Sequence, residues 1–154
     1  MSISRKNQRE AYDAILDKLP TKNRVVFNLV GKYPKNGVTA YELSITFSIP
    51  INEITGRLSE LKKHFYIDEV GSRKNTDTGR KNTVYKVVNG VLKRNKLILK
   101  EKGVLTKRYV ILHNDYQNAF LSQSGKYLIK KELLKLKSLI TKLSNLSKTL
   151  CKSI

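Results

Sequence analysis

The sequence predicts a mainly helical α+β chain: three short helices, a two-stranded β-hairpin, and a basic extension ending in a long amphipathic helix. Three observations predict this. Apolar residues recur at helical spacing in three blocks between residues 21 and 64. Two runs of good β-formers, Phe65-Tyr66-Ile67 and Thr83-Val84-Tyr85-Lys86-Val87-Val88, bracket a polar, glycine-containing stretch. Beyond the turn signal Asn89-Gly90 the charge rises: residues 1–88 carry 16 Lys/Arg against 9 Asp/Glu, residues 89–154 carry 15 against 3. The expected divisions are therefore an N-terminal helix in 1–20, a domain over 21–90 and an extension over 91–154.

Taken in order, Tyr12, Ile15, Leu16 and Leu19 define a first amphipathic helix that stops at Pro20. Thr21 is the expected N-cap of the next helix, because its hydroxyl can accept one of the unpaired N–H groups of a first turn. That helix, 21–33, sets Val26, Leu29, Val30 and Tyr33 on one face and ends before Pro34 and Gly37. Thr39 caps a short helix, 39–47, with Tyr41, Leu43 and Phe47 near its apolar side. Ser48-Ile49-Pro50 breaks it. The helix over 51–64 has Ile54, Leu58 and Leu61 as its core stripe at i, i+4 and i+7. The segment from Gly71 to Asn82 reads as a long, basic, flexible loop between the two strands.

In the extension, Leu97-Ile98-Leu99 and Tyr109-Val110-Ile111-Leu112 flank Gly103 and read as a second hairpin. From about Ser124 the pattern is helical. Ile129, Leu133, Leu136, Ile140, Leu143 and Leu150 alternate steps of four and three, with Ser147 in one slot. Two readings of this stripe stay open: a coiled-coil seam for a homodimer, or a face packed on the chain's own residues 91–112. Leu128, Leu134, Leu139 and Leu146 beside the stripe widen it and favour a broad packing face. Its polar side is nearly all lysine, opposed only by Glu132.

Charge narrows the function. The net charge is +19 on 154 residues, with a pI near 10.1. An excess this large is self-repelling, and a polyanionic partner relieves it. No run of apolar residues is long enough to span a bilayer, and Met1 to Lys18 lacks the apolar core of a secretory signal. No membrane partner and a cytoplasmic location are expected. A single cysteine, Cys151, and two distant histidines, His64 and His113, offer no zinc-type ligand set. No metal or cofactor is expected. There is no P-loop, no Gly-x-Ser-x-Gly and no His-Glu-x-x-His, so no enzymatic activity is expected either.

Three helices followed by a hairpin is the order of a winged helix. The stretches Thr39-Ala40-Tyr41-Glu42-Leu43, Pro50-Ile51-Asn52-Glu53-Ile54-Thr55-Gly56-Arg57-Leu58-Ser59-Glu60-Leu61 and Gly79-Arg80-Lys81-Asn82-Thr83-Val84-Tyr85 resemble the winged helix-turn-helix superfamily, in particular the small helix-turn-helix proteins of phages and prophages. The resemblance covers roughly residues 21–88. It departs at His64-Phe65, where such domains often carry a glycine between helix and strand.

The residues themselves supply a reason for DNA binding. On a helical wheel the face of 51–64 opposite the core holds Asn52, Gly56, Ser59 and Lys63, with Thr55 and Glu60 beside it and Arg57 at the flank. A helix fits the major groove, and short polar side chains reach base edges there. The candidate groove residues are thus Asn52, Thr55, Gly56, Arg57, Ser59 and Lys63. Arg57 is expected to hold a phosphate or a neighbouring carboxylate. The wing supplies Arg73, Lys74, Arg80, Lys81 and Asn82 for the phosphate backbone. The leading expectation is a phage-type transcriptional regulator that binds double-stranded DNA and blocks or recruits RNA polymerase, in a bacterial or phage-infected cell. The alternatives are a non-specific nucleic-acid-binding or genome-packaging protein, associated with the virion, and a winged-helix adaptor between proteins.

Overall fold

The computed structural model describes residues 20–117 and 121–151, in two compact units that divide at Gly90. The expected helix at Tyr12 to Leu19 lies outside the described residues. In the first unit the elements run α1 (Thr21–Gly31), β1 (Val38–Thr39), α2 (Ala40–Phe47), α3 (Ile51–Lys63), β2 (Ile67–Lys74) and β3 (Lys81–Val87). This is a winged helix-turn-helix: three helices around one core and a hairpin completing a three-stranded antiparallel sheet of order β1-β3-β2.

The helices form where the apolar spacing places them, and their ends have local causes. α1 starts one residue earlier than expected: Pro20 is its N-cap and Thr21 its first helical residue, with no side-chain cap. Proline has no side-chain acceptor, so the first-turn N–H groups of α1 gain no side-chain cap from it. Gly37, at φ +66, ends the α1 connection. A Cβ there would lie 2.6 Å from Val84 Cγ1 and 2.8 Å from the Tyr85 carbonyl oxygen, so β1 can approach β3 only over a glycine. Thr39 caps α2 as expected, in a reciprocal box: its hydroxyl accepts from the Glu42 N–H and Glu42 Oε2 accepts from the Thr39 N–H. Ser48, in a left-handed conformation, then turns the chain into α3.

At the end of α3 the missing glycine is explained. Phe65 itself adopts the left-handed position (φ +59), while the N–H of Phe65 donates to the Lys62 carbonyl and that of Tyr66 to the Leu61 carbonyl. Those two bonds satisfy the last carbonyls of the helix in the paired pattern usually built on glycine. Phe65 is half-buried, so packing of its ring accompanies the backbone strain.

The core gathers Val26, Phe27, Leu29 and Val30 of α1, Leu43 of α2, Ile54, Leu58 and Leu61 of α3, and Val38, Tyr66 and Ile67 from the strand side. Phe27, absent from the expected α1 face, is fully buried and meets Tyr66 edge-on at 6.2 Å between ring centres. Asn23 on the same face is buried and donates to Glu60 Oε2 at 2.8 Å, tying α1 to α3.

The wing corrects the expected long loop. β2 and β3 pair out to Lys74 and Lys81, with one bulge between Glu69 and Gly71, so the turn is only residues 75–80. It is also ordered. Asn75 is buried, and its Oδ1 accepts from the N–H groups of Asp77 and Thr78 at 2.8 and 3.1 Å. Gly79 takes the positive φ that the reversal needs. Local hydrogen bonding here converts a composition typical of loops into a tight turn.

The second unit holds α4 (Val91–Tyr116) and α5 (Gln123–Cys151). The second hairpin expected around Gly103 is not formed: residues 91–116 are one helix. The β-forming runs are overridden by a heptad pattern, Val91, Asn95, Ile98, Lys102, Leu105, Tyr109, Leu112 and Tyr116, whose positions are all buried or half-buried, as are Arg94 and Leu97 beside them. The stripe expected on α5 packs against this seam, with Leu133 and Leu136 buried. Asn95 Oδ1 accepts from Ser147 at 2.6 Å and Arg108 pairs with Glu132 at 3.2 Å, so the two helices run antiparallel. Among the described residues no helix is long and apolar enough to cross a membrane.

Candidate nucleic-acid interface

α3 is fixed from below by Ile54, Leu58 and Leu61, each nearly inaccessible, and from its sides by polar ties. Asn23 and Arg57 (3.3 Å) both hold Glu60, and Lys62 pairs with Glu69 of β2 at 2.7 Å. The bond from Asn23, with the Arg57 guanidinium beside it, keeps the Glu60 carboxyl below its ordinary value. Arg57 therefore takes the second of its two expected roles, a carboxylate partner.

Above this base, Asn52, Thr55, Gly56, Ser59 and Lys63 are all exposed, as the wheel predicts. Their hydrogen-bonding state was not legible from the wheel. Thr55 Oγ1 donates to the Asn52 carbonyl at 3.1 Å, and Ser59 Oγ donates to the Thr55 carbonyl at 2.9 Å. Asn52 Oδ1 accepts from the Glu53 N–H at 3.0 Å, which leaves its amide NH₂ for a partner. A Cβ on Gly56 would meet nothing within 4 Å. No contact among the described residues explains a glycine in this helix. Ile51, the first residue of α3, is 47% exposed and was not among the expected site residues.

The wing residues separate into two groups. Arg73 faces inward to the domain: Nη1 bonds Glu42 Oε1 at 2.5 Å and Nη2 bonds the Asn36 carbonyl at 2.8 Å. Its role is to fasten the wing to the start of α2. Partial burial pushes the Glu42 carboxyl up, but the Thr39 N–H and the Arg73 guanidinium reverse this and hold it below its ordinary value. The wing tip has a second fastening, a hydrogen bond from the Tyr41 hydroxyl to Asp77. That bond holds the Asp77 carboxyl down and the Tyr41 hydroxyl up. Asn82 is half-buried in β3 opposite Arg73. Neither fastening has a sequence signal, since the partners lie 31 and 36 residues apart.

Lys74, Arg80 and Lys81 form the outward group. All three are exposed, and none is in an ion pair among the described residues. Lys74 and Lys81 are direct cross-strand partners. Like charges in that relation repel, and a rigid turn keeps them there. The arrangement suits an anion with closely spaced charges. Among the described residues no group of three or more His, Cys, Asp or Glu is placed to hold a metal ion.

No family model and no curated protein matches the chain. Two solved structures are similar to it at low identity: Bacillus subtilis PadR in complex with operator DNA (12% identical, covering 82% of this chain and 98% of that one, TM-score 0.35) and Streptococcus pneumoniae FabT in complex with DNA (17%, 92% and 99%, TM-score 0.35). Likenesses this distant carry no argument. The fold rests on the element order and sheet topology described above, and the function on the chemistry of this chain.

Proposed function

We propose that this protein binds double-stranded DNA, with α3 in the major groove and the wing tip on the phosphate backbone, and that it regulates transcription by occupying its site. The observation that carries the reading is the Lys74–Lys81 pair, held side by side with Arg80 on a fastened turn and without carboxylate partners among the described residues. Phosphates spaced along a duplex offset that repulsion. The exposed face of α3, built from short side chains and an unobstructed glycine, supplies the complementary groove surface. Occupancy then blocks or recruits RNA polymerase, as a phage-type regulator does.

The test is a salt series on duplex DNA. Changing Lys74, Arg80 and Lys81 together to Ala weakens binding to all sequences and lowers the slope of log K against log salt by about 3, roughly one per lost phosphate contact. An unchanged slope assigns the phosphate contacts elsewhere and overturns the wing's role.

The charge of residues 89–154 favours a second reading, non-specific coating of a nucleic acid. The two part on specificity: a regulator enriches one motif from a random pool, and a coating protein enriches none.

We also propose that the second unit pairs with a second copy. Its own seam uses one stripe of each helix, and Tyr127, Leu128 and Leu134 of α5 stay exposed beyond it. Apolar surface grouped on a helix pair finds cover in another such pair.

A further inference from the structure

We propose that α3 recognises thymine by its C5 methyl group, through Ile51 and Thr55. The inference rests on the reading of α3 as the groove element, and it concerns what that element can read.

The argument begins with donors. Guanine is read in the major groove by a cation that offers two N–H groups to O6 and N7. Two of the three cations nearest the exposed face of α3 are already engaged, Arg57 with Glu60 and Lys62 with Glu69. The hydroxyl hydrogens of Thr55 and Ser59 are engaged as well, each with a backbone carbonyl of the helix itself. What α3 has left to present is lone pairs, the Asn52 amide, Lys63 and apolar surface.

The apolar surface is specific in place. Ile51 opens the helix with its side chain half in water, beside Ile54, which is wholly buried. Thr55 is one turn further on, on the same side (i, i+4). With its hydroxyl turned back to the Asn52 carbonyl, its methyl is the group free to meet a partner. Gly56 follows, with open space where a Cβ would be, so a base edge can come close to the backbone at that point. A single exposed isoleucine means little. Here an exposed isoleucine and a threonine methyl adjoin, with a missing Cβ next to the threonine on the outward side, on a helix whose donors are mostly occupied. Thymine is the base that offers an apolar group in the major groove.

The experiment uses the full chain and a duplex selected by it from a random pool. Each thymine of the selected site is replaced in turn by deoxyuridine, which removes the C5 methyl and leaves the pairing unchanged. Expected is a loss of about fourfold at each of one or two positions, the value of burying one methyl-sized group. In the Ile51→Ala/Thr55→Ser variant, thymine and deoxyuridine duplexes bind equally, and the salt slope stays that of the native chain. Loss that persists in the variant, or deoxyuridine tolerated at every position, overturns thymine reading while DNA binding stands. Binding without any selected sequence overturns it too. Failure to bind duplex DNA at all removes the groove reading beneath it.

Discussion

Gly56 sits in the middle of α3, on its exposed side. Glycine inside a helix is about 1 kcal/mol less favourable than alanine, and a Cβ at this position would meet nothing within 4 Å among the described residues. Gly103 in α4 is in the same state, helical and open. The two positions make a matched pair. Gly56→Ala and Gly103→Ala should each raise the free energy of unfolding by about 1 kcal/mol in chemical denaturation. On the proposed function, Gly56→Ala alone should also weaken DNA binding, because its methyl group would stand where a base edge is proposed to approach. Equal affinities for the two variants would remove the functional reason for Gly56. The polar residues of α3 carry a related lesson. Their type and face are plain from a helical wheel, whereas the direction of each hydroxyl is set by the helix carbonyl beside it.

The wing shows what a single element gains from distant ties. Its strands are ordinary β-formers, and a two-stranded ribbon alone is marginal in water. Arg73 and Asp77 fasten it to Glu42 and Tyr41 of α2, so the tip cations keep fixed positions relative to the helices. Glu42 serves two elements at once, capping α2 and holding Arg73. Its carboxyl is held below the ordinary value of 4.5. An acid depressed in the folded state stabilises above its unfolded pKa, and that stability is lost as pH falls through the folded value. The melting temperature should therefore drop as the pH is lowered below about 4.5, and Glu42→Gln should melt lower at neutral pH with a shallower acid dependence. A Gln variant with the native acid profile would place the acid-sensitive group elsewhere. In sequence the cap at Thr39 was legible, since it is local, while its reciprocal partner Glu42 was not singled out. The hold on Arg73 was not, and Arg73 read as one more cation for phosphate.

At the scale of the molecule, the two units answer different demands. The first has a core fed by each of its described elements, β3 through the partly buried Tyr85 and Val87. The second is a helix pair with a narrow seam, and it leaves Leu92, Leu99, Val104, Val110 and Ile111 of α4 exposed as well as the α5 residues. If a second copy covers α5, the full chain should sediment as a dimer at micromolar concentration, and Leu128→Glu/Leu134→Glu should shift it to monomer with the melting of the first unit unchanged. A native chain that sediments as a monomer throughout would show that the exposed face has no second copy on it.

The sequence by itself determined α1 to α3 and most of their core stripe, the cap at Thr39, the heptads of α5 and the excess of positive charge. These depend on residue type and short-range spacing, which a linear reading measures directly. Tertiary structure decided the rest. It made residues 91–116 a helix, because a 26-residue seam against α5 outweighs two short β-forming runs. It placed β1, two residues long and without periodicity, beside β3 through the glycine at 37. It also decided which cations pair with carboxylates across elements, Arg73 with Glu42 and Lys62 with Glu69, because those partners are brought near only by folding.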